Sequence, residues 1–188
     1  MLLKVLVGLG LLVAVLVVVV ATRPAAFRIA RSITIDGPPD RAFSLVNDFH
    51  EGPVWSPYEK LDPAMKKSFE GPRSGTGAVY GWAGNDKVGT GRMTIEKSVS
   101  PSLVSLRLEF IKPFTATNQG TFAFVREGKK TKVTWAMEGR YSFMSKAFSL
   151  VMNMDKLVGT DFERGLAAMK VAAESVARSN GQVASAVH

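Results

Sequence analysis

Five stretches between residues 78 and 137 alternate apolar and polar side chains, and this period of two constrains the fold more than any other feature. The stretches span residues 78–82, 88–99, 103–111, 117–125 and 131–137. Short segments with glycine, proline, serine and charged residues separate them, which is typical of hairpin connections. The pattern therefore predicts an antiparallel meander with one apolar face and one polar face.

Three further segments surround the start of the meander. Residues 27–35 alternate in the same way and predict a first strand. Pro39 suits the first turn of a helix, and apolar residues follow it at helical spacing, so we expect a short helix that ends near Asp48. Residues 50–67 include three prolines and are expected to form an irregular segment over the surface or the mouth of the domain.

The last third of the chain is predicted to be helical. From Phe143 onward, apolar residues recur every three or four positions, with a break or kink expected near Gly159 and a capping box from Thr160 to Glu163. A sheet buries its apolar face only under another element, and this long C-terminal helix is the one large element left. The domain is expected to cover residues 26–178, with a disordered tail over 179–188.

The N-terminal segment, residues 1–22, is predicted to be a transmembrane anchor or a signal segment. Residues 5–21 have no polar side chain, and with Leu2 and Leu3 they reach the roughly 20 residues that a helix needs to cross a bilayer. The run is longer than the roughly 7 to 15 apolar residues of a typical cleaved signal, so we favour an uncleaved anchor.

Two signals disagree about the side of the membrane on which the domain lies. Arg23, Arg28 and Arg31 follow the apolar run, and by the positive-inside rule they favour a cytoplasmic domain. A short basic start with Lys4 before a single apolar run is the usual form of an export signal, and the arginines lie close enough to belong to the folded domain. The hypothesis that we retain is a single-pass protein whose domain lies outside the inner membrane of a bacterium.

The composition excludes several classes of site. The 188 residues include no cysteine and only two histidines, His50 and His188, so disulfides, zinc fingers, iron–sulfur ligation and multi-histidine metal sites are ruled out. We expect no metal and no cofactor. The net charge of +8 comes from basic residues scattered among acidic ones, without the continuous stripe typical of nucleic-acid binding, so nucleic acid is not an expected partner. A basic surface beside a bilayer favours anionic lipids instead.

Four stretches within residues 26–176 resemble a known family. They read WAGNDKVGTGRMTI, LRLEFIKPFTATNQGTFAF, TKVTWAMEG and MDKLVGTDFERGLAAMK. Together with the element order, they are similar to the polyketide cyclase/dehydrase group of the START-like (SRPBCC) superfamily. The resemblance implies an α+β helix-grip fold, in which a curved antiparallel sheet wraps around a long C-terminal helix and encloses a hydrophobic cavity. One N-terminal transmembrane helix is expected to precede this domain, which departs from most soluble members of the family.

The residues expected to line the cavity are aromatic and apolar side chains of the meander, the irregular segment and the C-terminal helical region. They are Trp55, Tyr80, Trp82, Met93, Leu108, Phe110, Phe122, Trp135, Met137, Phe148 and Met152. Of Tyr80 and Trp82, only one is expected to face inward. Methionine adapts to varied apolar shapes, which fits a loosely selective pocket. For Trp135 and Met137, packing in the core is the alternative interpretation.

The resemblance leaves the function open, because the superfamily holds enzymes, carriers and regulators. The first hypothesis is a membrane-anchored protein that binds, and by extension transfers, a hydrophobic small molecule or lipid. The alternative is a polyketide cyclase/dehydratase-like enzyme that uses a buried acid in the same pocket. A third hypothesis is a structural domain with a filled core.

No single residue stands out as the acid that the enzyme hypothesis requires. Glu109 and Glu138 are expected to point to the polar face by alternation, and Asp155 lies near the expected helix break. His50 and Glu51 are adjacent in sequence, and adjacent residues rarely face each other usefully. The catalytic residues of an enzyme therefore stay unknown at this level.

Overall fold

The structure is a computed structural model that describes residues 1–150 and 152–185, with side chains described as far as residue 175. An apolar helix, α1 (Leu2–Thr22), is followed by strand β1 (Ala26–Asp36) and helix α2 (Pro39–Asn47). Three short helical turns follow: Phe49–Glu51, α3 (Gly52–Trp55) and Pro57–Lys60. Six strands and two helices complete the chain: β2 (Lys66–Glu70), β3 (Val79–Ala83), β4 (Thr90–Val99), β5 (Leu103–Lys112), β6 (Ala116–Glu127), β7 (Lys130–Arg140), α4 (Phe143–Phe148) and α5 (Met154–Ser185).

The seven strands form one antiparallel sheet in the order β1-β7-β6-β5-β4-β3-β2. Each strand from β2 to β7 pairs with the next in sequence, so the predicted meander is confirmed. Strand β1 pairs with β7, with Ala26 opposite Arg140 and Asp36 opposite Lys130. Register shifts between β4 and β5, at Thr90/Gly91 and at Ile95/Lys97, bend the sheet locally.

Strand β2 was not predicted from the sequence. All five of its residues are exposed, and two lysines precede its single phenylalanine, so the strand has no apolar alternation. It lies at the edge of the sheet and pairs with β3 alone. Charged side chains on such an edge discourage pairing with another chain, and they also remove the pattern by which a strand is recognised.

The C-terminal helical region is divided earlier than expected, because α4 ends at Phe148 and α5 begins at Met154. The side-chain oxygen of Asn153 accepts a hydrogen bond from the backbone N–H of Lys156 at 2.9 Å, so Asn153 caps the start of α5. Gly159 lies inside α5, and Thr160 donates its hydroxyl to the Lys156 carbonyl at 2.7 Å within the helix. The predicted break near Gly159 and the capping box from Thr160 to Glu163 are therefore wrong.

Near the end of the chain, the backbone is described further than the side chains are. Helix α5 continues to Ser185, and residues 186–188, like Val151, lie outside the described residues. The disordered tail over 179–188 and the domain boundary at 178 stay predictions.

The core lies between the inner face of the sheet, α2 and α5. Helix α5 packs mainly on β1, with contacts to β7, α2 and α3. Its buried contributions are Phe162, Leu166 and Met169, which meet Phe122 and Trp135 and other side chains of the sheet in one cluster. The antiparallel sheet that packs against a C-terminal helix confirms the predicted α+β helix-grip fold, with an apolar helix before it.

An arginine on the inner face of β1 forms ion pairs with two residues of α5. The Arg31 guanidinium contacts the carboxylates of Asp155 at 2.9 Å and Glu163 at 2.8 Å, and it also donates to the Asp155 backbone carbonyl at 3.1 Å. The hydrogen bond from Arg31 holds the pKa of Asp155 below its usual value. Because Asp155 and Glu163 are separated by two helical turns, this contact sets the position of the first part of α5 along β1.

Candidate ligand-binding site

A group of inward-facing apolar side chains crosses the inner face of β3, β4 and β5. Tyr80 lies opposite Met93, which in turn lies opposite Leu108. Trp82 and Phe110 lie one pair further along, with ring centroids 5.9 Å apart. We call the surface formed by these five residues the apolar groove. Tyr80 and Trp82 both face inward because residues two apart share a face of a strand, so the expectation that only one would do so was wrong.

The apolar groove is only partly covered, although it lies in the middle of the sheet. Met93 and Leu108 are half-buried, whereas Ile95 and Leu106, one inward position further along β4 and β5, are 0% and 4% exposed. The difference arises because α5 packs over β1 at the opposite edge of the sheet. A half-buried apolar surface on the inner face of the sheet is suited to an apolar ligand that completes its burial.

Gly120 of β6 shapes the far side of the apolar groove. Its pairing opposite Leu106 and Met137 places it on the inner face. A Cβ atom at this position would lie 2.7 Å from the Leu108 Cδ1 atom, so the Leu108 side chain occupies the space that the glycine leaves. The glycine therefore allows Leu108 to lean toward β6.

Three of the predicted lining residues, Trp55, Phe122 and Trp135, lie in the packed core beneath α5. The Trp135 ring stacks on Phe162 of α5 with centroids 3.9 Å apart and on Phe122 at 4.9 Å. Trp55 meets both Phe122 and Trp135 edge-on at 5.5 Å and donates its indole N–H to the Leu45 carbonyl at 2.7 Å. Rings at these separations fill the space between sheet and helix, in agreement with the packing interpretation of Trp135.

Met137 and Asn118 form the boundary between the packed core and the apolar groove. Met137 is half-buried, and its sulfur accepts a weak hydrogen bond from the Asn118 side-chain amide at 3.8 Å. Asn118 lies opposite Leu108, and its side chain lies next to Gly139 of β7, so it faces inward. This polar side chain was not predicted from the sequence. Its position at an inward register of β6, between Ala116 and Gly120, was the signal that would have identified it.

A nearly buried carboxylate lies at the β2 end of the apolar groove. The side chain of Glu59 is 9% exposed, and it pairs with Lys67 of β2. The Tyr80 hydroxyl donates a hydrogen bond to Glu59 at 3.0 Å. Burial, together with the Glu59 charge and hydrogen bond, raises the pKa of Tyr80. This cluster of Glu59, Lys67 and Tyr80 was not predicted from the sequence, because Glu59 comes from the irregular segment and Lys67 from the unpredicted strand β2.

Two of the predicted residues, Phe148 and Met152, lie apart from the others. They are 48% and 46% exposed and belong to the segment around the end of α4. The Phe148 ring meets Phe114, in the turn between β5 and β6, with centroids 6.3 Å apart. They lie at the end of the domain where β5 ends and β6 begins.

The acids considered from the sequence all form ion pairs outside the apolar groove. Glu109 pairs with Arg92 at 3.0 Å, and this hydrogen bond lowers the pKa of Glu109. Glu138 pairs with an arginine of β1 at 2.7 Å, and both side chains are exposed. Asp155 is bound to Arg31 as described above. The three acids are therefore partners in structural ion pairs, two on the outer face of the sheet and one on α5.

His50 has an acidic partner, but not the one next to it. Its Nδ1 atom lies 2.8 Å from Asp48 Oδ1, whereas Glu51 pairs with Arg41 at 3.2 Å. Asp48 also accepts from Arg73 at 2.9 Å. Burial would raise the pKa of Asp48, but hydrogen bonds from His50 and Arg73 outweigh it, so this pKa is lowered. Asp48 also caps the helical turn that starts at Phe49, because its side chain accepts a hydrogen bond from the backbone N–H of His50. This cap explains why Asp48 and His50 are two residues apart.

Two hollows of the described structure lie outside the predicted lining set. One of about 310 Å³ is bordered by Phe49, His50 and Phe69, and one of about 470 Å³ lies on the polar face beside Arg107 and Glu138. Within the described residues, no group of three or more His, Asp or Glu side chains is placed to hold a metal ion. Neither hollow is lined by any of the five residues of the apolar groove.

The fold and the apolar groove together define a class of protein. A curved antiparallel sheet that packs on a C-terminal helix, with apolar side chains on its concave face, is a hydrophobic-ligand-binding fold. The family model described as "Polyketide cyclase / dehydrase and lipid transport" matches residues 26–174. The chain belongs to this family, as its resemblance predicted. Among curated proteins, none matches the sequence.

Solved structures share the fold at low sequence identity. A protein from Nitrosospira multiformis is 18% identical with a TM-score of 0.56, over 81% of this chain and 99% of that one. The Zhui aromatase/cyclase from Streptomyces sp. R1128 is 14% identical with a TM-score of 0.56, over 83% of this chain and 98% of that one. The di-domain ARO/CYC StfQ of the steffimycin biosynthetic pathway is 11% identical with a TM-score of 0.59, over 81% of this chain and 52% of that one. At these identities the comparison concerns the fold alone.

Proposed function

We propose that this protein binds a hydrophobic small molecule or lipid in the apolar groove while α1 anchors it to a membrane. The observation that carries the proposal is the half-buried state of Met93 and Leu108 in the middle of the sheet, beside residues that are completely buried. Completing the burial of apolar surface contributes about 25 cal/mol per Å² to binding, before the cost of immobilising the ligand. An apolar ligand is the natural partner for such a surface.

The lining indicates the chemistry of the ligand. Met93 and Met137 adapt to ligands of varied shape, and Trp82 and Phe110 provide flat ring faces. Polar groups are present at two places: the Asn118 amide toward β7, and the cluster of Glu59, Lys67 and Tyr80 toward β2. We infer a mainly apolar ligand with few polar groups, such as a single hydroxyl, carbonyl or carboxyl.

The anchoring part of the proposal rests on α1. Its 21 residues have a length of about 31 Å as a helix, which matches the hydrocarbon core of a bilayer. Every side chain of α1 except Val20 is exposed, so the domain does not use this helix as core. We retain the placement of the domain on the outer side of a bacterial inner membrane, and a cleaved signal is the alternative that N-terminal sequencing of the mature protein would detect.

The proposed binding is tested by uptake of a fluorescent fatty acid or sterol probe by the delipidated full-length protein in detergent micelles. We expect saturable binding with about one probe for each chain. Uptake that rises linearly with probe concentration, equal to that of protein-free micelles, would contradict the proposal. Displacement of the fluorescent probe by unlabelled fatty acid or sterol would then rank the classes of ligand.

A second candidate function, as a cyclase or dehydratase, is favoured by Glu59. This carboxylate is nearly buried next to the apolar groove, where it would take a proton from a carbon between two carbonyl groups of a linear polyketide. The resulting enolate would attack a distant carbonyl of the same chain, the alkoxide formed would take the proton back from Glu59, and the hydroxyl would then leave as water. Glu59→Gln would abolish turnover of a linear polyketide thioester analogue and leave fluorescent probe binding intact. Absence of turnover by the unmodified protein would eliminate this candidate.

A further inference from the structure

Five large apolar side chains are exposed at one end of the domain and do not belong to the apolar groove. They are Phe114, Phe143, Met144, Phe148 and Met152, each between 46% and 67% exposed. We call this set the terminal patch. Phe114 comes from the turn between β5 and β6, and the other four come from α4 and the segment after it. Contiguous exposed apolar surface of this kind marks a contact with a protein, a ligand or a membrane.

The terminal patch lies at the same end of the domain as α1. Helix α4 contacts α1 directly, and Lys146 of α4 donates a hydrogen bond to the carbonyl of Ala21 at 3.3 Å. Val20, the single buried residue of α1, lies next to Ala21. The contact places α4 at the C-terminal end of the apolar helix, where a membrane-spanning α1 would leave the hydrocarbon.

Basic side chains are present at this end of the domain. They are Arg23 in the segment after α1, Lys87 in the turn between β3 and β4, Lys112 at the end of β5, Arg140 at the end of β7 and Lys146 in α4. In the described part of the chain, none of these five takes part in an ion pair within the protein. A Lys or Arg near an anionic bilayer surface is attracted to the lipid headgroups. This combination of apolar and basic groups is suited to the headgroup region of a bilayer.

We propose that the terminal patch lies in the bilayer interface beside α1, with Phe114 and Phe148 among the acyl chains. The proposal rests on the membrane anchoring of α1 inferred above. The turn that holds Phe114 connects β5 and β6, and Phe110 of the apolar groove is on β5 just before that turn. The groove therefore opens next to the lipids, and an apolar ligand passes between bilayer and groove without crossing water.

The test uses the full-length protein in phosphatidylcholine vesicles with and without phosphatidylglycerol. The chain has no cysteine, so single-cysteine variants take a fluorescent NBD label at one site only. Met144→Cys reports on the terminal patch, Ala14→Cys on the middle of α1, and Lys129→Cys on the opposite end of the domain. Lys129 lies next to the C-terminal end of β1. The 11 residues of β1 span about 35 Å, and its N-terminal end is the one near α1, so Lys129 marks the far end of the domain.

The expected result is strong quenching of the labels at positions 144 and 14 by spin-labelled lipids, with no quenching at 129. Quenching at 14 without quenching at 144 would overturn the terminal-patch proposal and leave the anchor intact. Absence of quenching at 14 would overturn the anchoring of α1 and with it this proposal. A blue-shifted label at 144 that lipids do not quench would show that another protein copy covers the terminal patch instead, which also overturns it.

A matched pair of variants tests the consequence for ligand movement. The double variant Phe114→Ser, Phe148→Ser is expected to slow transfer of a bound fluorescent fatty acid to acceptor vesicles about tenfold, with equilibrium binding unchanged. Val99→Ser removes a similarly exposed apolar residue, 42% exposed at the opposite end of β4, and is expected to have no effect on transfer. Equal transfer rates for the two variants would contradict the proposed role of the terminal patch.

Discussion

The guanidinium group of Arg31 lies against the backbone of Gly159, so closely that a Cβ atom at position 159 would collide with it. A glycine inside a helix costs about 1 kcal/mol relative to alanine, so its presence here requires a reason. The reason is the approach of Arg31 to α5, which allows it to bind Asp155 and Glu163 on the two sides of Gly159. The ion pairs and the glycine therefore form one structural unit.

The first prediction concerns this unit. Gly159→Ala is expected to change the free energy of unfolding by less than about 0.5 kcal/mol, because displacement of the flexible Arg31 guanidinium from its ion pairs offsets the gain in helix propensity. Urea unfolding followed by fluorescence measures this change, since the three tryptophans all lie in the domain after α1.

The control is the same substitution in the background of Arg31→Ala. Without the guanidinium there is no collision, so Gly159→Ala is expected to raise the free energy of unfolding by about 1 kcal/mol instead. The same change in both backgrounds would show that Arg31 is not the group that requires glycine at this position.

The second prediction concerns alkaline pH. Burial raises the pKa of Tyr58, Tyr80 and Tyr141, with additional contributions from Asp161, Glu59 and Asp155 respectively. In the unfolded chain these groups ionise at about pH 10. Their contribution to stability is thus present below about pH 10 and is lost as the pH rises toward the folded-state values.

We therefore expect the phenolate absorbance to stay low through about pH 10 and to rise together with the loss of native tryptophan fluorescence. These are the only three tyrosines of the chain, so the absorbance has no other tyrosine source. A rise in absorbance at about pH 10 while the fluorescence stays native would contradict the burial of these side chains.

The third prediction concerns acidic pH. The Glu174 carboxylate accepts hydrogen bonds from the backbone N–H of Asp36 at 2.8 Å and from Lys170 at 2.6 Å, and these bonds lower its pKa. Since the folded-state pKa lies below the unfolded value of about 4.3, this stabilisation is present above about pH 4.3 and is lost as the pH falls through the folded-state pKa.

Glu174→Gln is expected to reduce the loss of stability between neutral pH and about pH 3, because one of the acid-sensitive groups is removed. Glu96→Gln, at an exposed position of β4, serves as the control and should keep the slope of the unmodified protein. Identical slopes for both variants in urea midpoints at several pH values would refute this assignment.

The fourth prediction concerns the apolar groove. Met93→Trp is expected to weaken binding of the fluorescent fatty acid or sterol probe at least tenfold, because the larger ring fills the space between Tyr80 and Leu108. Val125→Trp places the same ring at a position of β6 that is 54% exposed and outward-facing, and it should bind as the unmodified protein does. Equal affinities for the two variants would place the ligand elsewhere.

The sheet was predictable from the sequence because its strands bury one face. Strands β3 to β7 alternate clearly, and both this alternation and the hairpin connections between them are local properties. The helix break was not predictable in the same way. Gly159 is a helix breaker by propensity, but its tertiary contact with Arg31, far away in sequence, keeps it inside α5.

The candidate site was predictable only in part. The inward-facing residues Met93, Leu108 and Phe110 follow from the period of two, but the partial cover above them depends on where α5 lies across the sheet. Glu59 was missed because its burial results from contacts with Lys67 and Tyr80 of two other segments. Long-range contacts of this kind leave no periodic signal along the chain.

The most direct measurement of the proposed function is native mass spectrometry of the full-length protein released from membrane nanodiscs, compared with Met93→Trp. The account predicts an added mass of one hydrophobic small molecule on the unmodified protein, and its loss in the variant. An unmodified protein that carries no added mass, or a variant that retains the same one, would contradict it.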